Sequence, residues 1–216
     1  MATQSNIGRR RAAVRNKSSE AYAERRAEIV AGAVRVFNQK GLEGATIGAV
    51  AEELDIDRAS LYYYIASKEE LFDELVQRVV DENLQIVRRI AAGEATPRDK
   101  LYEMVTALMS SYGNQYPLFY IYIRENLSRV TGRRARWARH MRDLNRETVD
   151  LVIGIIEQGY ADGTLRKVGP ADVVAYGLFG IIGWTHRWFR PETSLVSAAE
   201  VGRTYAELLL GGMTPA

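Results

Sequence analysis

The sequence contains no cysteine and only two histidines, His140 and His186. The first absence excludes disulfides, thiolate metal sites, thiol redox sensing and cysteine nucleophiles. There is also no His-Glu-x-x-His, no Gly-x-Ser-x-Gly and no glycine-rich loop able to cradle phosphates. An enzyme is therefore not expected, and neither a metal nor a cofactor is called for. Long apolar runs are missing too. None approaches the roughly 18 residues that span a bilayer, and the first thirty residues lack the short apolar core of a signal peptide. The expectation is a chain with no membrane partner in a reducing, cytoplasmic setting.

Period-two alternation bounded by hairpin turns is also absent, whereas helical periodicity recurs throughout, so an all-α fold is expected. The 216 residues, 47% of them hydrophobic and 26% charged, suffice for a small head and a larger body with a buried core. Net charge is only +2, but it is unevenly spread. Up to Arg26 the basic residues are Arg9, Arg10, Arg11, Arg15, Lys17, Arg25 and Arg26, against Glu20 and Glu24. Residues 1–20 read as a basic, disordered arm that can neutralise phosphates or act as an ordinary solvated tail.

A head over residues 21–92 follows. Its first helix is expected from Ala21 to Lys40, with Ile29, Ala33, Val34 and Phe37 on one face and Gly41 as the stop. Thr46 can cap a short helix carrying Ile47, Val50, Ala51 and Leu54, and Asp57 a shorter one from Arg58 to about Tyr64. Ser67-Lys68-Glu69-Glu70 reads as a capping box that opens a fourth helix with Leu71, Leu75, Val79 and Ile86 on its apolar stripe. Two short helices joined by a tight turn suit a helix-turn-helix. Such a unit needs apolar residues behind the second helix and polar or aromatic ones in front, where Arg58, Ser60, Tyr62 and Tyr63 stand.

The string from Arg26 to Leu71, with Phe37, Gly41, Thr46, Val50-Ala51, Ser60-Leu61-Tyr62 and Ser67-Lys68-Glu69-Glu70-Leu71, closely resembles the N-terminal domain of the TetR family of transcription regulators. The resemblance places Thr46 and Lys68 where helix N-termini anchor phosphates, and Tyr62 as the phosphate-contacting tyrosine. It puts Arg58, Ala59, Ser60 and Tyr63 where bases are read. The sequence departs from the family's habits at Asp55, where glycine is common, at Tyr64, where histidine is common but which is kept among the DNA-facing residues, and at Ile65, where phenylalanine is usual. Three adjacent tyrosines cannot all face inward from one helix, so core packing is expected for one of Tyr62, Tyr63 and Tyr64.

Residues 93–216 read as a helical bundle for ligand binding and dimerisation. Helices are expected near Pro97 to Asn114, Pro117 to Val130, Arg134 to Tyr160, Pro170 to Trp188 and Ala198 to Leu210, the last opened by a Ser197-x-x-Glu200 capping box. Two helix-turn-helix heads related by a two-fold axis read a palindrome, so a homodimer on double-stranded operator DNA is implied. Ala175, Gly177, Gly180, Gly183 and Leu208 to Leu210 are its interface candidates. Tyr112, Tyr116, Phe119 and Tyr120 with Arg124, and Trp184 with Arg187, are the candidates for an apolar effector pocket with few polar anchors. The stretch Gly183 to Pro191 is similar to C-terminal domains of TetR-family regulators that respond to acyl-CoA thioesters. That likeness implies a small hydrophobic effector, with Arg124, Arg187 and Arg190 available for phosphates. The competing reading is a constitutive DNA-binding protein or an activator without a small-molecule effector.

Overall fold

A computed structural model describes residues 19–213 except 117, 125, 126, 128 and 129. The basic arm expected over residues 1–20 thus lies almost entirely outside the described residues. Nine α-helices and two 3₁₀ turns account for the described secondary structure, with no strand among these residues. The helices are α1 (Ser19–Gly44), α2 (Ile47–Glu53), α3 (Arg58–Leu61), α4 (Lys68–Ala92), α5 (Pro97–Asn114), α6 (Leu118–Ile123), α7 (Ala135–Asp162), α8 (Ala171–Trp184) and α9 (Ala198–Gly211).

The residues fall into two compact units that divide between Val76 and Gln77, within α4. The junction expected at Gly93 to Thr96 follows the end of α4, whose residues Val87 and Ile90 are buried in the second core, with Leu101, Met104, Ile155 and Ile156. The last turns of α4 thus belong with the body.

In the first unit the buried face of α1 is Ile29, Ala33, Val36 and Phe37; Val34, expected there, is only half-buried. Spacings of 4, 7 and 8 from Ile29 keep those four on one stripe, while Val34 at 5 falls to its side. Phe37 meets Phe72 of α4 edge-on, ring centroids 5.8 Å apart at 84°. Gly41 takes φ 68° and breaks the helix as expected, a conformation that favours glycine. Thr46 caps α2 by accepting from the Ala49 N–H at 3.0 Å, and Asp57 caps α3 through the Ser60 N–H at 3.2 Å. Asp55, between them, has φ 51°, so the turn does require the left-handed region where the family commonly has glycine.

The second unit is built around α5. Thr96 caps it and Pro97 fills its first position, as the sequence predicts. Its apolar face, Leu101, Met104, Val105, Leu108, Met109 and Tyr112, is buried against α7, α8 and α9. Ser197 and Glu200 close the expected capping box on α9, and α7 ends at Gly163 with φ 76°.

Three expected helices are shorter in the structure. α3 is helical only to Leu61, after which Tyr63 N–H and Tyr64 N–H donate three residues back, to Ser60 and Leu61, in a tightened turn. α6 stops at Ile123 instead of Val130; its run Leu-Phe-Tyr-Ile-Tyr-Ile is aromatic and β-branched, which weakens helix propagation. α8 ends at Trp184, not Trp188, and passes into a 3₁₀ turn over Thr185–Arg187. There the Thr185 hydroxyl donates to the Ile181 carbonyl at 3.2 Å, while the Thr185 carbonyl accepts from both Trp188 and Phe189.

Candidate DNA-reading surface and effector cleft

The DNA-facing candidates lie on a scaffold fixed from behind. Ile47, Ala49, Val50 and Ala51 of α2 and Leu61 of α3 are buried, and the Ile56 N–H returns to the Ala51 carbonyl at 3.0 Å, so α3 is held to α2 through its turn. With those residues inward, Arg58 and Ala59 stand exposed and Ser60, Tyr62, Tyr63 and Tyr64 half-exposed. Arg58 is held by its neighbour: a guanidinium N–H donates to the Tyr62 hydroxyl at 3.2 Å, and the guanidinium carbon lies 5.9 Å from that ring's centre. Tyr64 stacks on Tyr22 of α1, centroids 5.1 Å apart, which ties it to packing within the first unit. Thr46 is exposed, its hydroxyl turned to the α2 cap.

Lys68 is the first residue of α4, at a helix N-terminus as expected, and its side chain is engaged within the protein. Its ammonium donates to the carbonyls of Leu42, Glu43 and Ala45 at 2.8, 2.9 and 2.8 Å, so its three N–H groups are spent inside the protein. Of the expected capping box at α4, the Ser67 hydroxyl accepting from the Glu70 N–H at 3.1 Å is in place.

In the second unit, a cleft of about 410 Å³ is lined by Tyr120, Arg124, His186, Arg187 and Arg190. It is more cationic than the apolar pocket foreseen, because the aromatics turn largely onto one another. Tyr112 lies 6.1 Å from Tyr116, 6.3 Å from Phe119 and 6.2 Å from Phe189 between ring centres. The cleft wall is made by arginine and tyrosine pairs. Arg190 donates to the Tyr116 hydroxyl at 3.0 Å and Arg124 to the Tyr120 hydroxyl at 3.0 Å, and both guanidinium groups lie over the Tyr120 ring at 5.6 and 5.4 Å. These hydroxyl contacts hold the Arg190 pKa above its ordinary value, led by the bond to Tyr116.

Trp184 is exposed, with Arg187 over its ring at 4.7 Å, and is not part of the cleft wall. His186, absent from the sequence-derived set, is in the wall. Its Nδ1 lies 2.5 Å from the Gly183 carbonyl, which can only accept, so Nδ1 carries a proton and Nε2 is the nitrogen left for other partners. No sequence spacing singled it out; its place in the wall follows from the 3₁₀ turn over Thr185–Arg187 that ends α8.

Tyr112 is fully buried and its hydroxyl has no hydrogen-bond partner among the described residues. Burial drives its pKa well above the usual phenol range, with smaller effects from Tyr116, Tyr120 and Arg190. An unpaired buried hydroxyl is costly to the folded protein. This one lies within electrostatic reach of the residues that make the cleft.

No group of three or more histidines, aspartates or glutamates among the described residues could hold a metal ion. No described helix is long and apolar enough to cross a membrane.

Comparison with known proteins agrees with both halves. Residues 29–75 match the family of bacterial regulatory proteins named for TetR, and residues 94–213 match the tetracyclin repressor-like C-terminal domain. The HTH-type transcriptional repressor KstR2 of Mycobacterium tuberculosis is 29% identical over 191 residues, covering 88% of this chain and 93% of KstR2. Its solved structure, described as a ketosteroid transcriptional regulator, superposes with a TM-score of 0.77 at 26% identity, over 89% of this chain and 96% of that one. AibR in complex with isovaleryl coenzyme A and operator DNA shares the fold, with a TM-score of 0.72 at 20% identity over 86% of this chain and 98% of that one. With a family match spanning most of the body and a second covering the helix-turn-helix, this chain belongs to the TetR family of DNA-binding transcription regulators.

Proposed function

We propose that the protein is a homodimeric repressor that leaves a palindromic operator when a small effector with a hydrophobic body and an anionic head enters its second unit. The observation that carries the effector reading is the arginine-lined cleft, with the buried Tyr112 hydroxyl within electrostatic reach of Tyr120 and Arg190 in its wall. Arginines 124, 187 and 190 offer donors to an anion, and the buried aromatic cluster offers apolar surface. An acyl-CoA thioester combines these features: phosphates for the guanidinium groups, an acyl chain for the aromatics and a carbonyl to accept from Tyr112. AibR, solved with isovaleryl coenzyme A, has this fold. The repressor sign follows KstR2, to which the chain is similar.

The dimer reading is supported by an apolar surface on the last two helices. Val173 and Tyr176 on α8 and Leu208 on α9 are 60%, 63% and 71% exposed, and a Cβ added at Gly177 or Gly180 would meet nothing within 4 Å. A second copy of this surface would bury those side chains.

Fluorescence anisotropy with DNA from upstream of the gene, titrated with acyl-CoAs of increasing chain length, tests the whole reading. Release by an acyl-CoA but not by free coenzyme A is expected. Release by neither, with specific operator binding intact, would remove the effector from the proposal. Tyr112→Phe gives a sharper check. Deleting an unsatisfied buried hydroxyl is expected to stabilise the protein by about 1 kcal/mol and raise its melting temperature by a few degrees. The same change should weaken the response to acyl-CoA about tenfold, by removing the donor to its carbonyl. A more stable variant with an unchanged acyl-CoA response would dissociate Tyr112 from the ligand.

Arg58→Ala is expected to cost about 1–3 kcal/mol of operator affinity and to relax preference at one base pair per half-site. Selection of bound sequences from a randomised pool measures it, and an unaltered consensus would move base reading away from Arg58.

A further inference from the structure

We infer that Lys68 serves DNA binding as a positioning residue, clamping the α1–α2 joint to the first turn of α4, and does not pair with a phosphate. The inference rests on the DNA-binding reading of the first unit. It starts from the backbone break at Gly41, where φ 68° and ψ 174° end the regular helix. Beyond the break the chain must turn into the Thr46 cap of α2 within five residues, and carbonyls at such a helix end lack partners along their own helix. Three of them, from Leu42, Glu43 and Ala45, converge on the Lys68 ammonium.

An ammonium has three N–H donors in a tetrahedral arrangement, and here each has one carbonyl. Delivering this charge to a phosphate would strip all three oxygens of their donor in a half-buried place. The clamp fixes the residue immediately before Thr46 to α4, whose Leu71 and Phe72 are anchored in the core. It thereby sets where the N-terminus of α2 stands and, through the Ile56-to-Ala51 bond, where α3 presents Arg58 and Ser60. A lysine at the mouth of a DNA-reading surface thus acts through α2.

The test is operator affinity of the full chain as a function of KCl, for wild type, Lys68→Met and Lys68→Arg. Measurements are made at a temperature where circular dichroism shows each variant folded, so that losses report geometry and not an unfolded fraction. Lys68→Arg is the decisive variant: it keeps the charge and can reach a phosphate, but a planar guanidinium fork cannot converge on three carbonyls. Both variants are expected to bind about tenfold more weakly, the scale of one lost charged hydrogen bond. The slope of log affinity against log salt should stay at the wild-type value. A phosphate contact predicts otherwise: Lys68→Arg near wild type, and a slope for Lys68→Met shallower by about 0.9 for each protomer on the operator, about 1.8 for a bound dimer. Either result overturns the inference, and should Lys68→Met not fold, Lys68→Arg alone decides. Failure of the regulator reading would look different, as wild-type protein binding its upstream DNA no better than random DNA.

Discussion

Phe72→Ala is expected to abolish operator binding by unfolding the helix-turn-helix unit while leaving every DNA-facing side chain in the sequence. Phe72 is fully buried, and its ring sits edge-on against Phe37, so the truncation removes both the burial of a large side chain and an aromatic pair joining α4 to α1. Phenylalanine-to-alanine changes in cores cost about 3–5 kcal/mol. Whole domains are stable by only about 5–15 kcal/mol, and a unit this small has little apolar area to spare. Circular dichroism should show partial loss of helix at 37 °C, and gel shift should show no retarded operator. Phe72→Leu, which keeps most of the volume, should retain binding. A Phe72→Ala protein that melts within a few degrees of wild type and still shifts operator would show that α1 and α4 are held together by something other than this pair.

The second large effect is expected at Gly202. α9 packs against α5, and Gly202 is a point of close approach between them. A Cβ there would come 2.9 Å from the Met109 Cβ and 3.0 Å from the Thr106 Cα, neither of which can swing aside as the end of a flexible chain could. Gly202→Val therefore has to push α9 off α5, and overpacking of this kind costs about 1–3 kcal/mol or more. α9 also carries Leu208 on the proposed self-association surface, so the displacement should weaken the dimer as well. Thermal melts and sedimentation velocity on the same samples measure both effects. The contrast is Gly177→Ala on α8, where the added methyl meets nothing within the chain and replaces a poor helix former by the best one. In the isolated chain that change should be neutral or stabilising by up to about 1 kcal/mol. If Gly202→Val melts like wild type, the close approach of α5 and α9 is not a constraint on the fold.

Thr96-Pro97 and Ser197-x-x-Glu200 were readable because capping is local: the donors and acceptors lie within four residues of one another, so their order in the chain nearly dictates the contact. The same holds for Gly41 and Gly163 as helix ends and for the strain-tolerant Asp55 in the turn. Tyr62 and Arg58 were legible as surface residues for a related reason, since α2 and α3 are too short to bury more than one face. The truncation of α8 was not legible. It depends on whether the Thr185 hydroxyl bonds back to Ile181, and Thr185 is also held by Tyr205 of α9, twenty residues away.

The cleft shows the limit most clearly. Aromatic and cationic residues near Tyr112 and Trp184 pointed to a ligand region, but not to which of them face each other. Arg190 reaches Tyr116 across 74 positions of sequence, which draws Arg190 and His186 into the wall while Trp184 is left on the surface. The sequence by itself determined most of the helices and their caps, because these rest on periodicity or on bonds between near neighbours, and the motif string from Arg26 to Leu71 carried the resemblance to the regulator family. Only the tertiary structure decided that the Lys68 charge is spent on carbonyls, that the expected apolar pocket has an arginine-lined wall, and that the Tyr112 hydroxyl is buried without a partner among the described residues. Those outcomes depend on which long-range neighbours compete for each donor, and that competition exists only once the helices have packed.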